Sequence, residues 1–231
     1  MENDEMSEAL ILSVETATLS GSVAITRGEQ LLGVVSGDPK ISHSNTLLAD
    51  VDKLFAETQI RVSDVDLFAV ATGPGSFTGL RIGIATIKAL SATLDRPSVG
   101  IPTLEAVALS GGVSERSIAL LPAGRGEVFT QLFAVSAGNN VKALDEAAHV
   151  PPARLFERYR DLESATWCGE GAIVNRELIE SSAAGNDWRI APHDPNLAVY
   201  VAKLAFNKNQ FDDAYTLRAI YVRPADAQLK T

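Results

Sequence analysis

Residues 73–83 read GPGSFTGLRIG, and this stretch joins a predicted strand to a predicted helix. The apolar run Asp66–Ala71 before it has the length of a short buried strand. Apolar residues then recur at helical spacing from Leu80 to Leu94, and the glycines with Pro74 between the two patterns predict a tight turn. A turn that opens a helix presents unpaired backbone N–H groups, which suit a phosphate or another anion. The stretch therefore predicts either an anion site or a turn that lets the helix pack closely.

Three well-known loop motifs do not fit this stretch. A dinucleotide-binding loop needs a third glycine where Thr78 stands, and a P-loop ends in a lysine that Gly79-Leu80-Arg81 does not supply. Ser76 lacks the glycines two residues before and after it that frame the nucleophile of a hydrolase elbow. The anion site and the close-packed turn both stay open as interpretations.

The composition is that of a folded chain with a sizeable core. The chain has 231 residues, of which 46% are hydrophobic and 21% are charged. Its net charge of −9 argues against a nucleic-acid-binding surface, because phosphate contacts need clustered lysine and arginine. Cys168 is the single cysteine, which excludes an internal disulfide. No apolar run reaches the roughly 18 residues of a membrane helix, and the acidic start is unlike a signal peptide, so we expect a cytoplasmic protein.

The first half of the chain shows the pattern β-β-β-α-β-α-β-α. Short turns separate the first three strands, which favours antiparallel hairpins. Helices and strands then alternate, and the glycine stretch opens the second of these helices. The predicted elements are strands at Leu10–Val14, Gly21–Thr26, Leu31–Val35, Leu67 and Ser98–Ile101, with helices at Ser44–Glu57, Leu80–Leu94 and from Thr103.

The second half looks like a degenerate copy of the first. Its predicted strands lie at Ser117–Leu121, Glu127–Val135, Val141, Trp167 and Arg189-Ile190, and its helices at Pro152–Arg160, Ala172–Ser181 and Leu197–Asn207. The predicted join within Ser110–Arg116 gives a tail at residues 1–8, a first half at 9–110 and a second half at 111–231. A duplicated unit of this kind is the layout of the actin-like ATPase (ASKHA) fold, an α/β fold that clamps ATP between its halves.

In that fold the first hairpin holds phosphates, and an acidic residue near its start binds a metal. Glu15 stands at the equivalent position here, although a glutamate at a strand end is usually solvated and a turn rich in threonine can be only a turn. The three histidines are isolated, without the spacing that places two metal ligands on one helix face. No cofactor and no metal site are predicted. The residues of a possible degenerate nucleotide loop are Glu15, Thr16, Thr18, Gly73, Gly75 and Ser76.

The helix after the glycine stretch is apolar on nearly all sides. One wide face is formed by leucine and isoleucine, whereas the opposite side, with Ile82, Ala85, Ala89 and Thr93, has no charge. A helix of this kind is buried on more than one side. The first face suits this chain's own sheet, and the second suits either a partner or a third layer of this chain.

Several segments together resemble the bacterial TsaB (YeaZ) family. They include the glycine stretch, the first hairpin with Glu15-Thr16, and a pair of leucines in the first helix. The full set is residues 11–18, Ser22-Val23-Ala24, His43-Ser44, Leu47-Leu48, residues 73–83 and Tyr221-Val222-Arg223. The resemblance spans both halves and is strongest over residues 10–102.

The resemblance implies a catalytically silent member of the actin-like ATPase fold. Such a chain pairs with its paralogue TsaD, which transfers a threonylcarbamoyl group to the adenosine beside the anticodon of tRNAs reading ANN codons. A TsaE-type ATPase joins the larger complex, tRNA is reached only through the complex, and the chain alone can form a homodimer. The implied partner-binding residues, from the first and second helices, are Leu47, Leu48, Val51, Phe55, Gly79, Ile82, Gly83, Ala85, Thr86, Ala89 and Thr93.

Two departures from the family pattern stand out. Glu15 replaces the usual aspartate of the first loop, and Pro122-Ala123-Gly124 stands where the family has Asp-Ala-Arg.

Two alternatives remain beside the non-catalytic subunit: an ATP-dependent kinase of the same fold, and a peptidase. An intact phosphate loop in the second half would favour the kinase, and a metal pair or a nucleophile elbow would favour the peptidase. The sequence contains none of these features.

Overall fold

The computed structural model describes residues 9–38, 40, 43–183, 185–208, 210–212 and 215–222. The predicted tail at residues 1–8 and Arg223 of the family motif lie outside these residues. The chain divides into two compact units: Met1–Ala106 with Asp194–Ala219, and Val107–His193 with Ile220–Thr231.

The first unit is built on a five-stranded mixed sheet in the order β3-β2-β1-β4-β5. The first three strands pair as antiparallel hairpins, and β1, β4 and β5 run parallel. All residues of β1 and β4 are buried, as expected for central strands that helices cover on both faces. The strands are β1 (Leu10–Glu15), β2 (Ser22–Arg27), β3 (Gln30–Ser36), β4 (Leu67–Gly73) and β5 (Ser98–Pro102).

Three helices alternate with these strands as predicted: α1 (His43–Thr58), α2 (Phe77–Leu94) and α3 (Thr103–Ser110), with a 3-10 turn at Val62–Asp64. The second helix begins earlier than the predicted Leu80, because the Ser76 hydroxyl caps it by accepting a hydrogen bond from the Gly79 N–H at 3.2 Å. The helix ends at Leu94, and its C-cap residue Asp95 adopts a left-handed conformation with φ 51°. Apolar residues of α1 and α2 form one core with the sheet.

The second unit repeats the order of the first on a sheet arranged β11-β10-β6-β7-β8, with β9 also paired to β7. Trp167 is fully buried in its core and contacts the rings of Phe156, Tyr159 and Trp188. The predicted helix at Ala172–Ser181 is instead two short helices that meet at Asn175, whose side chain donates to the Gly171 carbonyl. The elements are β6 (Ser114–Gly124), β7 (Glu127–Ser136), β8 (Asn140–Ala143), β9 (Ala148–Val150), α4 (Pro152–Tyr159), β10 (Ser164–Cys168), α5 (Glu170–Val174), α6 (Arg176–Ser182) and β11 (Asp187–Ile190).

The last helix, α7 (Leu197–Phe206), belongs to the first unit, which corrects the predicted second half at 111–231. It covers the sheet at β1 and β2, where the Ser13 hydroxyl donates to the Ala198 carbonyl at 2.7 Å. The Ala198 N–H in turn donates to the Ser22 hydroxyl at 3.0 Å. Six of the ten residues of α7 are buried, as expected for a helix that is apolar on most sides and packs on a sheet. After α7, Asp212 pairs with Ser98 at the edge of the sheet.

Candidate functional site

The first hairpin turn and the glycine stretch lie against each other. The Thr16 hydroxyl donates to the Gly79 carbonyl at 2.8 Å, and the Ser76 N–H donates to the Ala17 carbonyl at 2.8 Å. A Cβ on Gly79 would lie 1.9 Å from the Thr16 carbonyl oxygen, and one on Gly75 would lie 2.5 Å from the Ala17 carbonyl oxygen. The glycines therefore let the turn between β1 and β2 pack directly on the start of α2.

Three backbone N–H groups of the glycine stretch donate to acceptors of this chain. The Ser76 N–H is taken by Ala17 and the Gly79 N–H by the Ser76 hydroxyl. The Gly73 N–H donates to the Thr103 hydroxyl at 3.0 Å, a contact between residues 30 positions apart that no local sequence pattern indicates. These three N–H groups face protein oxygens instead of an open anion pocket. Of the two interpretations, this geometry favours the close-packed turn.

Glu15 is fully buried, so the expectation that it is solvated is wrong. Its Oε1 accepts from the Thr18 N–H at 2.8 Å, and its Oε2 accepts from the Thr18 hydroxyl at 2.7 Å. The Gly21 N–H in turn donates to the Thr18 hydroxyl at 3.3 Å. The Glu15 carboxylate therefore stabilises the turn that packs against α2, because its hydrogen bonds connect the end of β1 to the middle of that turn.

Of the predicted nucleotide loop, the structure brings Thr16, Gly75 and Ser76 into one packed junction, with Glu15 and Thr18 bonded to each other in the turn. Gly73 is held separately by Thr103. Within the described part of the chain, no group of three or more histidine, cysteine, aspartate or glutamate side chains could hold a metal ion.

The hairpin tip between β6 and β7 carries the second departure from the family pattern. Gly124, Arg125 and Gly126 are all left-handed, with φ of 77°, 53° and 76°, and all three are exposed. Beyond the tip, the Glu127 carboxylate lies 2.9 Å from the Nε2 of His149.

Cys168 offers no nucleophile. Its side chain is fully buried, and burial raises the pKa of the thiol to about 12. A thiol with that pKa stays protonated at neutral pH.

The uncharged side of α2 is open to solvent. Ala85, Ala89 and Thr93 are exposed, and Ile82 and Thr86 are half-buried. Among the residues that the structure describes, no third layer covers this side, so that alternative is wrong for them. Phe77, the first residue of α2, is not among the predicted partner-binding residues, although it is 45% exposed.

The other predicted partner-binding residues divide between core and surface. Leu48 is 65% exposed and Phe55 is half-buried, whereas Leu47 and Val51 are buried in the core of the first unit. Gly79 and Gly83 are also buried. A Cβ on Gly83 would lie 2.3 Å from the Thr16 hydroxyl oxygen, so both glycines admit this chain's own turn and not the backbone of a partner. Leu47, Val51, Gly79 and Gly83 are thus packed within this chain, and the contact of the predicted set with a partner stays a prediction.

No helix among the described residues combines the length and the apolar character that crossing a membrane requires.

The relatives matched in sequence are proteins of tRNA threonylcarbamoyladenosine modification. Residues 21–214 match the family model of TsaD, tRNA N6-adenosine threonylcarbamoyltransferase. The chain is 26% identical over 226 residues to the tRNA threonylcarbamoyladenosine biosynthesis protein TsaB of Bacillus subtilis, a likeness that covers 95% of this chain and 96% of that protein.

Solved structures show the same fold. YeaZ from Pseudomonas aeruginosa matches with a TM-score of 0.74 at 24% identity, over 92% of this chain and 99% of that one. Component A of the (R)-2-hydroxyglutaryl-CoA dehydratase of Acidaminococcus fermentans matches with a TM-score of 0.54 at 8% identity, over 86% of this chain and 98% of that one. The predicted actin-like ATPase fold is confirmed. Because the family model spans most of the chain and TsaB aligns along nearly all of it, the chain belongs to the TsaB (YeaZ) family of tRNA threonylcarbamoyladenosine biosynthesis proteins.

Proposed function

We propose that this chain is a non-catalytic subunit that binds and supports a TsaD-type threonylcarbamoyltransferase. The complex modifies the adenosine beside the anticodon of tRNAs reading ANN codons, and a TsaE-type ATPase joins it. In the absence of the transferase, the same helix surface pairs two copies of this chain. The site of action is the cytoplasm, where the tRNA substrate is available.

One observation carries the proposal: the part of the fold that would bind nucleotide is packed, while a neighbouring helix side is uncharged and exposed. The Ser76, Gly79 and Gly73 N–H groups donate to oxygens of this chain. The exposed Ala85 and Ala89 lie further along α2, the helix that begins at that junction. A subunit of this kind contributes a docking surface to the complex, and the transferase contributes the chemistry.

The interface is expected to use α2 together with the exposed part of α1. Small residues such as Ala85 and Ala89 allow a partner helix to approach closely, and Leu48 adds apolar area. The interface excludes Leu47 and Val51, which the core of the first unit already uses.

The test is an affinity measurement with the transferase on the variant Ala89→Arg. A long charged side chain at this position would be buried without a partner in the interface, so we expect binding to weaken by about tenfold or more. On the isolated chain Ala89 is exposed, so the free energy of unfolding should change by no more than about 0.5 kcal/mol. Isothermal titration calorimetry and thermal unfolding give the two quantities.

Lys88→Ala is the matched control, because Lys88 directly precedes Ala89 and lies on the side of α2 that also carries Arg81, seven residues earlier. It should bind the transferase like the native chain. A folded Ala89→Arg variant with native affinity would contradict the proposed interface.

A second expectation concerns tRNA. With a net charge of −9, the isolated chain should give no tRNA shift in a gel at physiological salt, because it offers too few cations to replace the counterions of the phosphates. The shift should appear only when the transferase is present. A salt-sensitive shift by the chain alone would contradict binding through the complex.

A further inference from the structure

A groove lies at the junction of the two short helices α5 and α6 in the second unit. Its volume is about 570 Å³, and residues of both helices line it. We call it the α5–α6 groove. Its apolar lining residues are Ile173, Val174 and Leu178.

The shape of the groove is set by hydrogen bonds at the junction of the helices. The Asn175 side chain donates to the Gly171 carbonyl at 2.8 Å, and the Ile179 N–H donates to the Asn175 carbonyl at 2.9 Å. Beneath the groove, Ala172 and Ile179 are buried in the core of the second unit. The two helices are therefore held in place before a partner arrives, which lowers the entropy that binding would cost.

The apolar side chains of the groove are exposed to solvent. Val174 is 70% exposed, Leu178 is 41% exposed and Ile173 is 36% exposed. Single exposed apolar residues are common on protein surfaces, but several that line one groove are typical of an interaction site. The α5–α6 groove is therefore a candidate interface.

The groove also carries charges of both signs. Arg176 and Glu177 line it, and both are exposed. The Arg176 Nη1 lies 3.2 Å from the Glu180 Oε1, and 48% of the Arg176 side chain remains exposed in this ion pair. Because a guanidinium has five N–H donors, Arg176 can accept a second carboxylate partner without losing the first.

We infer that the α5–α6 groove pairs with the same groove of a second copy of this chain. In a two-fold pairing one patch must supply both members of every contact. Val174, the most exposed apolar side chain of the groove, enters the recess beside Leu178 of the other copy. Arg176 of each copy then meets Glu177 of the other.

The charges favour a second copy as the occupant. A groove with charges of one sign would repel its own copy and would need a partner of the opposite sign. This lining instead offers one cation and one anion, so two copies satisfy each other. Three apolar side chains make a small interface, and we expect a dissociation constant of about 10–100 μM.

The inference does not rest on the proposed function. The groove residues belong to the second unit, whereas α2 belongs to the first. Pairing through the groove therefore uses none of the residues proposed to bind the transferase.

The experiment is sedimentation velocity of the full chain over a range of concentrations, with every variant made in an Ala89→Arg background. Ala89→Arg removes the self-pairing proposed for α2 and so isolates the groove. We expect a monomer–dimer equilibrium in this background. Val174→Glu should weaken it by about tenfold or more, because the added carboxylate would be buried without a partner.

Charge reversal tests the two-fold geometry. Arg176→Glu or Glu177→Arg alone places like charges opposite each other across the axis, and each should weaken the dimer by about threefold or more at low salt. The two changes together should restore part of the lost affinity, and high salt should reduce these differences. A merely structural role of either residue would not give this rescue.

Val113→Glu is the matched control, because Val113 is an exposed valine of the second unit outside the groove. It should dimerise like the Ala89→Arg background. Thermal unfolding of each variant reports folding separately, and the charge reversals keep the test decisive should Val174→Glu fail to fold.

Three results would overturn the inference. The first is an Ala89→Arg background that stays monomeric well above the expected dissociation constant. The second is an unchanged dimer in a folded Val174→Glu variant. The third is a monomeric background in which Val174→Glu abolishes binding to the purified transferase or to the TsaE-type ATPase, which assigns the groove to a different protein.

Discussion

Replacing Gly79 by alanine is expected to destabilise the protein by about 3 kcal/mol, in spite of the better helix propensity of alanine. The new Cβ would lie 1.9 Å from the Thr16 carbonyl oxygen, and that oxygen belongs to the backbone of a packed turn. The gain in helix propensity is only about 1 kcal/mol, so the larger steric cost makes the substitution destabilising overall. The midpoint of thermal unfolding should fall by roughly 6–12 °C in a chain of this size.

Thr78→Ala is the matched control, because Thr78 is exposed and lies next to Gly79 in the first turn of α2. It should change stability by no more than about 0.5 kcal/mol. Gly83→Ala should cost less than Gly79→Ala, since its Cβ would meet the Thr16 hydroxyl, which can rotate away. Native stability of Gly79→Ala would show that the turn does not pack on α2 as described.

Replacing Glu15 by alanine is expected to cost about 3 kcal/mol, because the change removes a buried carboxylate that accepts two hydrogen bonds from Thr18. Hydrogen bonds to a charged group are worth more than neutral ones, and the Thr18 N–H would be left without this acceptor. Chemical denaturation measures the loss. Glu15→Gln should cost less, since its amide retains one acceptor oxygen.

The same variant separates the structural role of Glu15 from a role in ATP chemistry. Purified native chain with ATP and Mg²⁺ should release phosphate only at the background rate, and Glu15→Ala should leave that rate unchanged. A robust rate in the native chain that Glu15→Ala abolishes would contradict the non-catalytic proposal and favour the kinase.

Features that depend on neighbours in sequence could be predicted, and long-range contacts could not. The strand before the glycine stretch, the helix after it and the repeated order of elements follow from local periodicity, and the structure confirms them. The placement of α7 on the first sheet depends on contacts between residues such as Ser13 and Ala198, far apart in the chain. A helix pattern shows which face is apolar but does not identify the surface that covers it.

In the candidate site, too, features set by local sequence could be predicted and long-range contacts could not. The uncharged side of α2 follows from helical spacing, and Ala85 and Ala89 lie on it as expected, whereas the spacing left open whether a further layer of this chain covers that side. The role of Gly79 was open to two interpretations, because sequence alone does not tell whether a glycine admits a partner or a turn of the same chain. The bond from Glu15 to Thr18 spans three residues, so an acidic residue followed by threonine in a turn was the available signal.

The position of α7 also sets the order in which the protein can fold during its synthesis. The first sheet consists of strands made early, but the helix over β1 and β2 is Leu197–Phe206, and Leu217 completes the same core. The N-terminal strands therefore leave the ribosome with one apolar sheet face uncovered until most of the chain has been translated. The first unit to be synthesised is therefore among the last to complete its fold. A destabilising change in α7 or at Leu217 is expected to destabilise the N-terminal core as well.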